Sequence, residues 1–192
     1  MNAPLQHFPL LTAPEAGPVA GPLLETIEAA NGAVPNLYRV LANTPGLLAT
    51  YVDGAARFRS ESGFTATEQD VVLLTLSRIN ECTYCMAAHS FLADRVSKTP
   101  TEVTDALRGD RPLADQRLAA LAAFTQHMVE TAGRPTSENL QDFYSAGFTE
   151  AQVLAIVLAV SVKTISNWSN HLFGTPVDDM FAERAWQPPA YA

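Results

Sequence analysis

Three observations predict an all-α fold: apolar residues recur at helical spacing, strand alternation is nearly absent, and helix-start and helix-stop signals punctuate the chain. The apolar runs are Val71, Val72, Leu74, Leu76 and Ile79; Leu118, Leu121, Ala122, Phe124 and Met128; and Val153, Leu154, Val157 and Leu158. Thr65 with Glu68, Thr99 with Glu102 and Thr149 with Gln152 each resemble a capping box, in which a hydroxyl and a side chain three residues on satisfy free N–H groups of a first turn. A helix is expected behind each. Further helices are expected over 23–30, 37–42, 47–58 and 138–145, with Gly32, Gly63, Gly133 and Gly147 as stops.

The chain of 192 residues fits one domain with a core that needs no disulfide staples. Pro4, Pro9, Pro14, Pro18 and Pro22 predict an extended arm over residues 1–22, and the proline-containing tail predicts a second over 183–192, leaving the body at 23–182. Trp186 and Tyr191 suggest that the tail either docks or frays. No secretory leader is legible, and the longest apolar run, 153–162, is interrupted by Ser161 and Lys163 and is short for a bilayer span. A cytoplasmic protein is the expectation. A formal net charge of −8 argues against nucleic acid as a partner.

Gly63-Phe64-Thr65 recurs as Gly147-Phe148-Thr149, and the spacing from Cys85 to His89 recurs from Asn167 to His171, so two helical hairpins look related. Chance agreement is the competing reading.

Chemistry concentrates in Glu81-Cys82-Thr83-Tyr84-Cys85-Met86-Ala87-Ala88-His89, which holds the only two cysteines. On a helix Cys82, Cys85 and His89 fall at i, i+3 and i+7, so two thiols and an imidazole share one face. A helix start and a nearby imidazolium can lower a thiol pKa, and His89 can take the thiol proton. Asp70 or Glu81 could orient the imidazole. Cys82 could then attack a sulfenic acid on Cys85, closing a disulfide. Tyr84 either lines a substrate pocket or packs across a subunit contact. His171 either reaches the site from the second copy or is an ordinary core or interface histidine.

Glu81-Cys82-x-Tyr84-Cys85-x-x-Ala88-His89, preceded by the helix from Asp70 to Asn80, resembles the alkylhydroperoxidase D-like branch of the carboxymuconolactone decarboxylase superfamily. Gly32-Ala33-Val34-Pro35-Asn36 and Asn167-Trp168-Ser169-Asn170-His171 resemble flanking patterns of its peroxidase-related members. The resemblance implies an all-helical homo-oligomer, commonly a trimer or hexamer, that reduces alkyl hydroperoxides without a bound cofactor. In that cycle Cys85 is oxidised, Cys82 resolves it, and an external lipoyl or thioredoxin-like dithiol restores both. The resemblance also implies a proton relay from His89 to a glutamate twelve residues before the first cysteine. That position is Asp70 here, one methylene shorter, so the relay could instead run through water, Glu81 or Glu68.

Two other readings stand beside this one. A decarboxylase-like lyase would use His and carboxylates for proton transfer. A structural zinc site would need Cys82, Cys85, His89 and His171 to converge.

Overall fold

The computed structural model describes residues 8–188, and among them there is no strand. Nine α-helices follow in order among the described residues: α1 Gly17–Asn31, α2 Asn36–Leu41, α3 Pro45–Glu61, α4 Ala66–Ile79, α5 Thr83–Leu92, α6 Thr101–Arg108, α7 Gln116–Glu130, α8 Ser137–Ser145 and α9 Glu150–Phe173. A π-helical turn, Ala93–Ser97, extends α5, and a 3-10 helix, Asp179–Arg184, closes the described chain.

α4 is the hub. Every residue from Glu68 to Ser77 is buried, because α4 packs against α5, α6, α7 and α9 together. A helix hydrophobic on all sides is one surrounded by others. One core lies where α4 meets α7, α8 and α9. There Phe143 is fully buried, stacked 4.3 Å from Phe124 and 4.6 Å from Phe148. The other lies between α1, α2, α3, α5 and α9, and contains Tyr84, Phe181 and both cysteines.

The two Gly-Phe-Thr segments adopt the same geometry. Gly63 and Gly147 have φ of 71° and 87°, and a side chain at Gly147 would strike Nη1 of Arg117 at 2.7 Å. Thr65 and Thr149 each complete a capping box, with Glu68 and Gln152. The segments also touch: Phe64 meets Phe148 edge-on at 5.8 Å, and Gln152 Nε2 donates to the Gly63 carbonyl at 3.0 Å.

Three expectations need correction. The N-terminal arm ends at residue 16 rather than 22: α1 starts at Gly17 with Pro18 in its first turn, where a missing N–H costs nothing. Pro22 lies inside this helix. Thr99 does not cap α6, whose N-cap is Pro100 without a side-chain bond; its hydroxyl goes to Asp70 instead. α9 runs on past Lys163 to Phe173, so by length and composition alone it could cross a membrane. Its inner face, however, buries Lys163, Asn167 and Asn170 against neighbouring helices.

The C-terminal segment docks as far as it is described. Trp186 is buried and its Nε1 donates to the Arg108 carbonyl at 2.9 Å, while the Arg108 guanidinium donates to the carbonyls of Arg184 and Ala185. Tyr191 lies outside the described residues.

Phe143→Ala is expected to cost about 3–5 kcal/mol, since it opens a cavity between two stacked rings. Urea unfolding measures this; a loss below about 1 kcal/mol would show that the aromatic stack is not a core.

Candidate active site

α4 ends in a turn that sets the site. Glu81 takes a left-handed conformation, φ 51°, with its N–H on the Arg78 carbonyl, and the Cys82 N–H donates to the Ser77 carbonyl. Cys82 is thereby the N-cap of α5, and its sulfur accepts from the Cys85 N–H at 3.5 Å. Both cysteines are reduced and buried.

From across the interface, α9 supplies a polar stripe that sequence reasoning missed. Lys163, Ser166, Asn167 and Asn170, at i, i+3, i+4 and i+7, are all buried. Asn170 Nδ2 reaches Cys85 Sγ at 3.3 Å and Cys82 Sγ at 3.7 Å. Asn167 Oδ1 accepts from Asn80 Nδ2 at 2.8 Å, tying α9 to the turn before Cys82.

The two thiols are pushed apart. Burial opposes ionisation of Cys85. The hydrogen bond from the Cys82 thiol, the Lys163 ammonium and the Ser166 hydroxyl outweigh it, holding Cys85 well below the ordinary thiol range. Cys82 is pushed far up by its hydrogen bond to Cys85, by burial and by the Cys85 charge. The direction of both shifts favours a negative charge on Cys85 over one on Cys82. The Lys163 contact acts mainly through charge, because Nζ makes no hydrogen bond of good geometry.

His89 lies one turn beyond Cys85. Burial, followed by the charges of Lys163 and Arg59, holds it well below the ordinary imidazole value, so the ring is neutral at pH 7. The imidazolium expected beside Cys85 is therefore absent, and Lys163 is the cation. His89 Nδ1 is enclosed without a hydrogen-bond partner.

None of the three candidate carboxylates hydrogen-bonds His89. Asp70 is fully buried, but its Oδ1 accepts from Arg59 Nη1 at 3.1 Å and its Oδ2 from Thr99 Oγ1 at 2.9 Å. Its short side chain is committed to fastening α4 to α3 and to the start of α6. Glu68 is held by its capping box and by Arg117 Nε at 2.7 Å. Glu81 shapes the turn and makes no side-chain hydrogen bond to His89 or to either thiol among the described residues.

Tyr84 both packs and lines. Its hydroxyl donates to Asp178 Oδ2 at 2.6 Å and accepts from the Leu37 N–H at 3.2 Å, and its ring meets Phe181 edge-on. Tyr84, Cys85 and His89 share the wall of a cavity of about 750 Å³ with Arg59, Lys163 and a largely apolar lining that includes Phe58 and Phe181. His171 is exposed and outside it, a correction with a helical cause: the adjacent position, Asn170, points inward. Four zinc ligands consequently do not converge. Among the described residues no group of three His, Cys, Asp or Glu is poised to hold a metal.

His89 has a consequence for stability. The folded state resists its protonation while the unfolded chain accepts it near pH 6.5, so stability is lost as pH falls below 6.5, by up to about 1.4 kcal/mol per pH unit. Urea midpoints of wild type and His89→Gln at pH 7 and 5.5 check this: the wild type is expected to lose more, and equal losses would place His89 in contact with water.

Residues 45–126 match the carboxymuconolactone decarboxylase family. No curated protein matches the chain. Among solved structures, the chain is similar to the alkylhydroperoxidase AhpD core of an uncharacterized peroxidase-related protein from Ralstonia eutropha JMP134. The two are 20% identical with a TM-score of 0.81, over 94% of this chain and 96% of that one. It is also similar to an uncharacterized peroxidase-related protein from Silicibacter sp. TM1040, at 17% identity and a TM-score of 0.76, over 94% and 95% of the two chains. The family match spans Asp70, Cys82, Cys85 and His89, whereas Lys163 and Asn170 lie beyond it. Residues 45–126 thus resemble the carboxymuconolactone decarboxylase family, and the chain as a whole shares the all-α fold of these two solved structures.

Proposed function

We propose that the protein reduces organic hydroperoxides through a dithiol–disulfide cycle of Cys85 and Cys82. The observation that carries this reading is Cys85 on the wall of a largely apolar cavity with Cys82 buried beside it, both thiols free, the Cys85 pKa held down and the Cys82 pKa pushed up. The Cys85 thiolate attacks the terminal peroxide oxygen. The O–O bond breaks, Cys85 becomes a sulfenic acid, and the departing alkoxide takes a proton to leave as an alcohol. Neutral His89, beside Cys85, is suited to relaying that proton from solvent. Cys82 then attacks the sulfenic sulfur, water leaves and a disulfide closes. An external dithiol, lipoyl or thioredoxin-like, returns two electrons and two protons by exchange. Such free thiols suit a reducing compartment such as the cytoplasm.

Self-association belongs to the same proposal. Leu154, Val157, Trp168 and Leu172 are exposed on the face of α9 opposite its buried stripe. Sedimentation of Trp168→Glu is expected to show a smaller species than wild type. An unchanged distribution would remove that face from any assembly.

The family match supports a second reading, a lyase that uses neutral His89 as a proton acceptor. Turnover of cumene hydroperoxide with dihydrolipoate separates the two. Cys85→Ser is expected to fall roughly a thousandfold or more, as loss of a nucleophile does, and Cys82→Ser to stop after one oxidation. Turnover persisting without both cysteines would overturn the thiol cycle.

A further inference from the structure

The buried stripe of α9 contains a cation that takes no part in the bond-making steps of the cycle just described. Lys163 is 1% exposed, and its Nζ makes no hydrogen bond. An unpaired ammonium is strongly disfavoured away from water, so a folded protein that encloses one must offer it an anion or leave it neutral. The carboxylates near the cavity are committed elsewhere. Asp70 belongs to Arg59, and Asp178 takes the Tyr84 hydroxyl and the Asn36 N–H. From α2 and α3, Tyr38 and Tyr51 face the thiols as phenols whose ionisation burial opposes, as it does for Tyr84 on α5. His89 is neutral, and Arg59, the other cation lining the cavity, is already paired. That leaves the Cys85 sulfur.

We propose that Lys163 is the counter-ion of the Cys85 thiolate, and that this pair, in place of a histidine–carboxylate relay, activates the thiol and sets the redox poise of the cysteine couple. The proposal rests on Cys85 being the reactive thiol. Lys163 lines the same cavity as Cys85, and it lies on the face of α9 that carries Asn170, two turns away, whose amide reaches the Cys85 sulfur at 3.3 Å. When the couple is oxidised, the Cys85 thiolate and the Cys82 thiol together lose two electrons to the peroxide and one proton, and an S–S bond forms. Lys163 then faces no anion. The reduced form is therefore favoured over the disulfide, the relation that makes a dithiol couple a strong oxidant.

The test titrates the thiolate directly, by absorbance at 240 nm and by the rate of iodoacetamide alkylation against pH. It is carried out in Cys82→Ser protein so that one thiol is read. Lys163→Met is expected to raise the Cys85 midpoint by more than one unit, at least a tenfold rise in the proton affinity of the thiolate. Lys163→Arg should retain most of the effect, and His89→Gln should shift the midpoint less than Lys163→Met. With both cysteines present, each tenfold loss of thiolate stabilisation should lower the reduction potential of Lys163→Met by about 30 mV in a glutathione buffer.

An unchanged midpoint in Lys163→Met, or a shift in His89→Gln as large, would overturn the proposal. Should the lysine variants fail to fold, melting temperatures decide. Cys85→Ser strands the ammonium and is expected to melt lower than Cys82→Ser, and equal melting would contradict the pairing. No hydroperoxide enters these measurements, so a protein that fails as a peroxidase can pass them and an active peroxidase can fail them.

Discussion

A polar stripe buried inside a helical bundle must be answered by complementary groups, and here the answer fixes the site. α9 turns Lys163, Ser166, Asn167 and Asn170 inward, where each unpaired polar atom would be costly. The turn between α4 and α5 meets this stripe with Asn80, Cys82 and Cys85. The left-handed Glu81 breaks what would otherwise be one long helix, and the break sets both sulfurs against Asn170. The geometry of the candidate site and the packing of the core are therefore the same contacts. The thiols belong to the hydrophobic core around Tyr84 and Phe181 as much as to any active site.

That arrangement separates the ionisable groups by environment. Two adjacent thiols compete for one negative charge. The one nearer a cation and two donors wins, and its neighbour stays protonated and becomes the hydrogen-bond donor. The same enclosure strips His89 of its proton, turning it from a source of positive charge into an acceptor. Asp70 occupies the position of the expected relay carboxylate but works as a brace joining three elements through Arg59 and Thr99.

What was legible in the sequence was local. Thr65 and Thr149 begin their helices because the hydroxyl and the side chain three residues on satisfy N–H groups that nothing else can reach. Cys82, Cys85 and His89 share a face for a reason contained in ten residues. What stayed hidden was non-local. Lys163 lies far along the chain from Cys85 and reads as a mere interruption of an apolar run. Only the packing of α9 on α5 reveals it as a site residue. The choice between Asn170 and His171 was missed by one position, about 100° of helix rotation, enough to exchange the core for solvent. Thr99 looked like a cap until Asp70, brought close by the fold, took its hydroxyl. Pro18 looked like an arm residue because a helix start and an extended segment tolerate proline equally.

The claim on which the rest depends is that the resting protein already holds Cys85 as a thiolate. The second-order rate constant for reduced wild-type protein with cumene hydroperoxide, followed by stopped flow from pH 6 to pH 9, tests it most directly. A rate that is flat across this range is predicted, because the nucleophile is formed before the peroxide arrives. A rate that climbs with pH toward a midpoint at about 8.5, the value of an unperturbed thiol, would contradict it.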